Sequence, residues 1–177
     1  MKKALFIMLS AALIVCATVA GTLAWLTDKT EPVVNTFTVG DINITLTESE
    51  NLDLKMVPGK DISKDPKVTV KEGSEACWLF VKVEKSVNFD SFMTFEMADG
   101  WIALSGHAGV YYRNVDATNA DTGFDVLKDN KVMVLETVTK TELEGAKTNA
   151  PTLTFTAYAV QKDGINDATT AWGKVNP

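Results

Sequence analysis

Alternation of apolar and polar residues with a period of two is the feature that most constrains the fold of this chain. It is clearest at residues 77–84 and 153–161, where the odd-numbered side chains up to residues 83 and 159 are apolar. Such alternation is typical of half-buried β-strands, because successive side chains of a strand point to opposite faces. Turn-forming residues interrupt it at nearly regular, short intervals. We expect eight to ten short strands in an antiparallel β-sandwich, with one or two short helices.

The first strand of this sandwich is predicted at residues 35–47. The apolar residues of its alternation are Phe37, Val39, Ile42, Ile44 and Leu46. Their numbering changes from odd to even at Gly40, and a slip of one residue would turn the following side chains to the wrong face. We therefore expect a β-bulge at Gly40.

Later segments predict the remaining elements. Residues 77–84 are expected to form a central strand, because the first half of this segment is apolar on both faces. Hairpins are expected at residues 101–115 and at residues 123–137, the second around Asp129 and Asn130. The segments that break the period of two and are candidates for helices are 89–97, with Asp90 as a cap, 141–144, and 166–174, which would bury Trp172.

The first 24 residues have the layout of a secretory signal peptide. Two lysines precede an almost wholly apolar run at residues 4–20, and the small residues Thr22 and Ala24 occupy the positions that a signal peptidase needs before Trp25. Cleavage there would leave 153 of the 177 residues, enough for one domain with a substantial core. An uncleaved anchor is the alternative, because extending the apolar run to Leu26 brings it near the ~20 residues that span a bilayer.

Residues 25–34 form an arm between the predicted signal peptide and the first strand. The apolar residues at its two ends are Trp25, Leu26, Val33 and Val34, and they flank a polar middle. An arm of this composition has apolar side chains without a core of its own. We therefore divide the chain into a signal peptide at residues 1–24, an arm at 25–34 and a β-sandwich domain at 35–177.

The sequence around the predicted cleavage site resembles a known protein family. The runs A-W-L-T-D at residues 24–28 and N-T-F-T-V-G-D-I-N-I-T-L-T at residues 35–47 are similar to the export motif of the TasA and camelysin (CalY) family, whose members are processed by a SipW-type signal peptidase. A weaker similarity lies in P-G-K-D-I-S-K-D at residues 58–65. The resemblance implies a jelly-roll form of the sandwich. It also implies a non-enzymatic, secreted protein of extracellular fibres or a biofilm matrix, whose partners are copies of itself or related matrix subunits.

Strand donation is the physical route that we expect for such assembly. A sandwich with an unfilled groove or an open edge is a template for another chain, and an arm freed by signal cleavage can supply the missing strand. Head-to-tail contacts of this kind do not close, and so they make filaments. The alternative is a monomeric cell-surface adhesion module that binds through the loops at residues 105–109 and 116–122.

The charge balance argues against nucleic acid or anionic lipid as the main partner. The chain has 17 basic and 23 acidic residues, a net charge of −6, and loss of the two N-terminal lysines makes it −8. Binding to phosphates depends on clusters of lysine and arginine that this sequence lacks. We expect no nucleic-acid partner, and no membrane association of the cleaved chain.

The sequence predicts no catalytic site, metal site or cofactor. Camelysin-like proteins have been classed as metallopeptidases, but catalytic zinc takes three protein ligands, and His107 is the only histidine in the chain. Four residues suggest a calcium loop but depart from its spacing: Asp116, Asn119, Asp121 and Asp125. We expect them to form a solvated loop.

Cysteine usage excludes a disulfide within the cleaved chain. Cys16 lies in the apolar run, so cleavage would leave Cys77 as the only cysteine. Cys77 lies between apolar residues, which predicts a buried and inert thiol.

Overall fold

The computed structural model describes residues 40–49 and 54–175. Within these ranges, ten β-strands form three antiparallel sheets, and three short α-helices and one 3₁₀ turn at Lys128–Asn130 complete the fold. The predicted all-β class is confirmed, with one helix more than expected. The elements are β1 (Ile44–Thr47), β2 (Asp61–Ser63), β3 (Lys67–Val70), β4 (Cys77–Lys85), α1 (Phe89–Phe92), β5 (Met93–Thr94), β6 (Ile102–Ala103), β7 (Val110–Val115), β8 (Thr122–Asp125), β9 (Lys131–Val134), α2 (Lys140–Ala146), β10 (Leu153–Gln161) and α3 (Ala168–Val175).

The largest sheet has the strand order β10-β4-β7-β6. The predicted central strand is confirmed, because β4 pairs with β10 on one side and with β7 on the other. The hairpin predicted at residues 101–115 is also confirmed, since Ile102 and Ala103 of β6 pair with β7.

Two small sheets, β1-β3-β8 and β2-β9-β5, lie side by side. The segment between β2 and β3 bonds to the segment between β8 and β9: the Lys64 N–H donates to Asn130 O (2.8 Å), and the Val126 N–H donates to Pro66 O (2.9 Å). Val68 and Val70 of β3 pack against the odd-numbered side chains of β4 in the main core. The inward-facing apolar residues of β3 and β4 therefore belong to one shared core, as expected for packed sheets.

The hairpin predicted at residues 123–137 is wrong. β8 pairs with β3, whereas β9 pairs with β2 and β5. Asp129 and Asn130 do turn the chain, with φ of 54° and 52°. The turn carries the chain from one small sheet into the other. The residues of a turn do not show whether the next strand forms a hairpin or joins another sheet.

The helices partly match the predictions. α1 is shorter than the segment at residues 89–97 and follows Asn88, so Asp90 is not its cap. Asp90 instead accepts from Lys85 Nζ at 2.7 Å. α2 begins with a capping box formed by Thr139 and Glu142. α3 buries Trp172 as predicted.

The N-terminal predictions fall mainly outside the described residues. The signal peptide at residues 1–24, the arm at 25–34 and the first part of the predicted first strand lie there, including Phe37 and Val39, on which the bulge at Gly40 depends. Within the described part, Gly40 to Asn43 precede β1, which begins at Ile44. In the ranges 40–49 and 54–175, no helix has the length and hydropathy needed to cross a membrane.

Candidate functional site

β10 is a nine-residue strand at the end of the largest sheet. At its two ends, the Ser86 N–H donates to Thr152 O (3.0 Å) and the Lys162 N–H donates to Ala76 O (2.8 Å). Because hydrogen bonding alternates along an antiparallel pair, the even-numbered residues of β10 bond to β4. The odd-numbered residues, from Leu153 to Gln161, therefore direct their backbone N–H and C=O groups away from the sheet. No described strand pairs with them.

β1 is likewise the end strand of its sheet and lies beside β10, and no described strand pairs with its outer edge. The Lys71 N–H donates to Asn43 O (2.9 Å), so Ile44 and Leu46 direct their backbone groups away from β3. β1 and β10 lie next to each other but do not pair. A cavity of about 340 Å³ lies between the end of β1 and the start of β10. Its lining residues are Leu46, Thr47, Glu48, Pro66, Leu153, Thr154 and Phe155.

A second cavity, of about 370 Å³, adjoins the first at Leu153. Its lining is mostly apolar and comprises Leu54, Met56, Ile62, Lys64, Phe89, Met93, Val132, Ala150, Pro151, Thr152 and Leu153. We call the two cavities together the edge cleft. Leu46 and Leu54 are 36% and 56% exposed there, so the cleft presents apolar side chains to solvent beside backbone groups with which no described strand pairs. This combination is suited to an extended peptide segment.

Lys64 is the one charged side chain in an inward-facing row. The other members of that row are buried: Ile62, Pro66, Val68 and Val70. The Lys64 side chain is only 15% exposed, and its Nζ donates to Glu48 Oε1 at 2.7 Å. The same Nζ lies 5.5 Å from the centroid of the Phe155 ring. Since Lys64 lines the larger cavity while Glu48 and Phe155 line the smaller one, the ion pair lies at their boundary.

The other end strands lack such an extended edge. β5 and β6 have two residues each, β2 has three, and β1 and β8 have four. On the inner face near β8, the Arg113 guanidinium carbon lies 4.0 Å from the ring centroid of Phe124 and 5.1 Å from that of Trp101. Burial lowers the pKa of Arg113. Short edge strands and inward-pointing charges are common protections against edge-to-edge pairing, so β10 is the exception in the described fold.

The residues predicted to act in export and assembly divide between described and undescribed parts of the chain. Ile42 and Ile44 pack partly against the main core, and Leu46 lines the edge cleft. The residues outside the described ranges are Thr22, Ala24, Trp25, Leu26, Val33, Val34, Phe37 and Val39.

The residues considered for metal binding lie apart. The His107 ring centroid lies 6.3 Å from that of Trp172. Asp121, Asp125 and Asp116 each pair with a different lysine, at 2.8, 3.2 and 3.7 Å respectively. Among the residues that the structure describes, no three metal-ligating side chains converge.

Sequence reasoning missed Lys64 and Glu48. The sequence did contain a signal for Lys64, because the period of two that makes Ile62 and Val68 inward-facing also makes Lys64 inward-facing. The position of β10 at the end of its sheet had no such signal, since alternation predicts which face of a strand is buried but not whether both edges are paired.

Comparison with known proteins found no family model that matches the chain, no curated protein with a matching sequence and no solved structure with a matching fold. The resemblance to the TasA and camelysin family therefore stays a prediction from residues 21–65.

Proposed function

We propose that the protein is a secreted structural subunit of extracellular fibres or matrix, with a jelly-roll domain. Copies would join head to tail when the arm of one copy, residues 25–34, adds a strand at the edge cleft of the next. A SipW-type signal peptidase would free the arm by cleaving before Trp25. The observation that carries this proposal is the nine-residue edge of β10, with which no described strand pairs, beside the apolar edge cleft.

Two contributions would stabilise the docked arm. The odd-numbered residues of β10 offer backbone groups, and each hydrogen bond formed contributes about 0.5–1.5 kcal/mol net. The cavities of about 370 and 340 Å³ are large enough to accept side chains from one face of an added strand. Main-chain bonds would then supply affinity, and the alternate side chains would supply specificity.

The arrangement favours filaments over closed oligomers. Each chain carries one arm and one edge cleft, so the contact is heterologous, joining different surfaces on the two copies. Such contacts extend into fibres unless the rotation between copies closes a ring. The acidic surface, with a net charge of −8 after cleavage, would oppose unspecific lateral aggregation.

The test compares a chain that starts at Trp25 with one that starts at Asn35 and therefore lacks the arm. We expect fibres by electron microscopy and concentration-dependent sedimentation from the first. The second should remain monomeric with an unchanged circular-dichroism spectrum. Normal fibres from the shortened chain would contradict strand donation, and monomers from both chains would favour the adhesion module.

The processing step has its own test. Mass spectrometry of the secreted chain should place its N-terminus at Trp25. A secreted form that retains residues 1–24 would rule out the proposed release of the arm.

A further inference from the structure

We propose that the Glu48–Lys64 ion pair gates the edge cleft, so that it weakens the docking of an added strand and removal of the lysine charge tightens it. This inference rests on the proposed function, because it concerns the same cleft and the same arm. It assigns to Lys64 a role in specificity that neither the core nor the sheet pairing requires.

The position of Lys64 is the first reason. Inward-facing positions of a packed strand are normally apolar, and lysine is seldom buried unless it is paired. Here the residues two positions before and two positions after Lys64, Ile62 and Pro66, are both buried. Packing alone would favour an apolar residue in this row, so packing does not account for the lysine.

The second reason is the place of the ion pair within the cleft. A strand that fills both cavities must pass their boundary, where the Lys64 ammonium contacts Glu48 and faces the Phe155 ring. The two side chains are 15% and 34% exposed, so each still has water to lose. Removing that water costs free energy that the ion pair regains only in part. The apolar residues at the two ends of the arm offer no new polar partner, so docking either end over the ion pair carries the full cost.

This reasoning gives opposite signs for two substitutions. Lys64→Met removes the charge with little change in side-chain length, and we expect docking to tighten about fivefold. Glu48→Gln leaves the lysine without its carboxylate in a partly buried site, and we expect docking to weaken about tenfold. The double variant should bind at least as tightly as Lys64→Met alone, because the single variant still leaves the Glu48 carboxylate to lose water.

A labelled synthetic peptide with the sequence of residues 25–34 is the probe. Its fluorescence anisotropy is measured against the chain that starts at Trp25, at concentrations where that chain is monomeric. The matched controls are Lys128→Met and Glu96→Gln, which break a Lys–Glu pair of 2.6 Å whose side chains are 52% and 72% exposed and lie outside the edge cleft. Both controls should leave the affinity unchanged. Thermal melting confirms that each variant is folded, and the double variant serves if Lys64→Met alone is unstable.

The outcomes separate the gate from the proposed function. Tighter binding by Lys64→Met together with weaker binding by Glu48→Gln supports the gate. A peptide that binds the wild-type chain and both variants equally overturns the gate and leaves strand donation standing. A peptide that binds none of them overturns strand donation, and the gate with it.

Discussion

Trp172 of α3 packs against Phe80 of β4, with their ring centroids 5.2 Å apart. Tyr158 of β10 meets the same tryptophan edge-on at 5.3 Å. Trp172 is only 2% exposed, and together these rings cover the outer face of the largest sheet. The first half of β4, residues 77–81, is therefore buried on both faces, by the shared core on one side and by the C-terminal helix on the other.

Trp172→Ala should lower the free energy of unfolding by about 3–5 kcal/mol, because it leaves a large cavity over β4. Guanidinium denaturation measures the change. Ile102→Ala is the control, since Ile102 is 53% exposed and its truncation should cost less than about 0.5 kcal/mol. Equal losses from the two variants would mean that α3 does not hold the sheet in solution.

Cys77 should resist alkylation in the folded protein. Its side chain is fully buried, and burial raises the pKa of the thiol to about 11. At about pH 8 the reactive thiolate is therefore scarce as well as inaccessible. In the chain that starts at Trp25, iodoacetamide followed by mass spectrometry should modify Cys77 only after denaturant is added. Rapid modification without denaturant would contradict the burial of this strand.

Two glycine substitutions should have opposite effects on stability. Gly109 has a φ of +76°, and a Cβ there would lie 2.5 Å from the carbonyl oxygen of Val83. Gly109→Ala should therefore cost more than about 1 kcal/mol. Gly145 lies in α2, and a Cβ there would meet no atom within 4 Å. Gly145→Ala should therefore raise the free energy of unfolding by up to about 1 kcal/mol.

Thermal denaturation of both glycine variants measures the two signs. A gain from Gly109→Ala would contradict the tight approach of residue 109 to β4, and a loss from Gly145→Ala would contradict the open space at residue 145.

The sequence predicted the parts of this fold that depend on local periodicity. β10 coincides with the alternation at residues 153–161, and the central position of β4 followed from its two apolar faces. The partner of β9 could not be predicted, because a turn at Asp129 suits both a hairpin and a change of sheet. The position of β10 at the end of its sheet depends on which distant strands pair with each other, and that is a property of the whole topology.

Asp65 should titrate at a lower pH than an ordinary aspartate and control the segment that carries Glu48. The Ser49 hydroxyl and the Ser49 N–H both donate to its carboxylate, and these bonds hold its pKa below the usual 3.8. A lowered pKa means that the bonds stabilise the fold above the usual pKa and are lost as the pH falls through the pKa of the folded state. The attachment of Ser49 to Asp65 should therefore persist at neutral pH and loosen only in acid.

Nuclear magnetic resonance can follow both ends of this contact. The carboxyl carbon of Asp65 and the amide of Ser49 should share one titration midpoint below 3.8. Ser49→Ala should move the Asp65 midpoint upward, because it removes the hydroxyl donor that contributes most to the lowered pKa. Asp65→Asn should abolish the transition at Ser49. A Ser49 amide that titrates unchanged in Asp65→Asn would show that another group controls this segment.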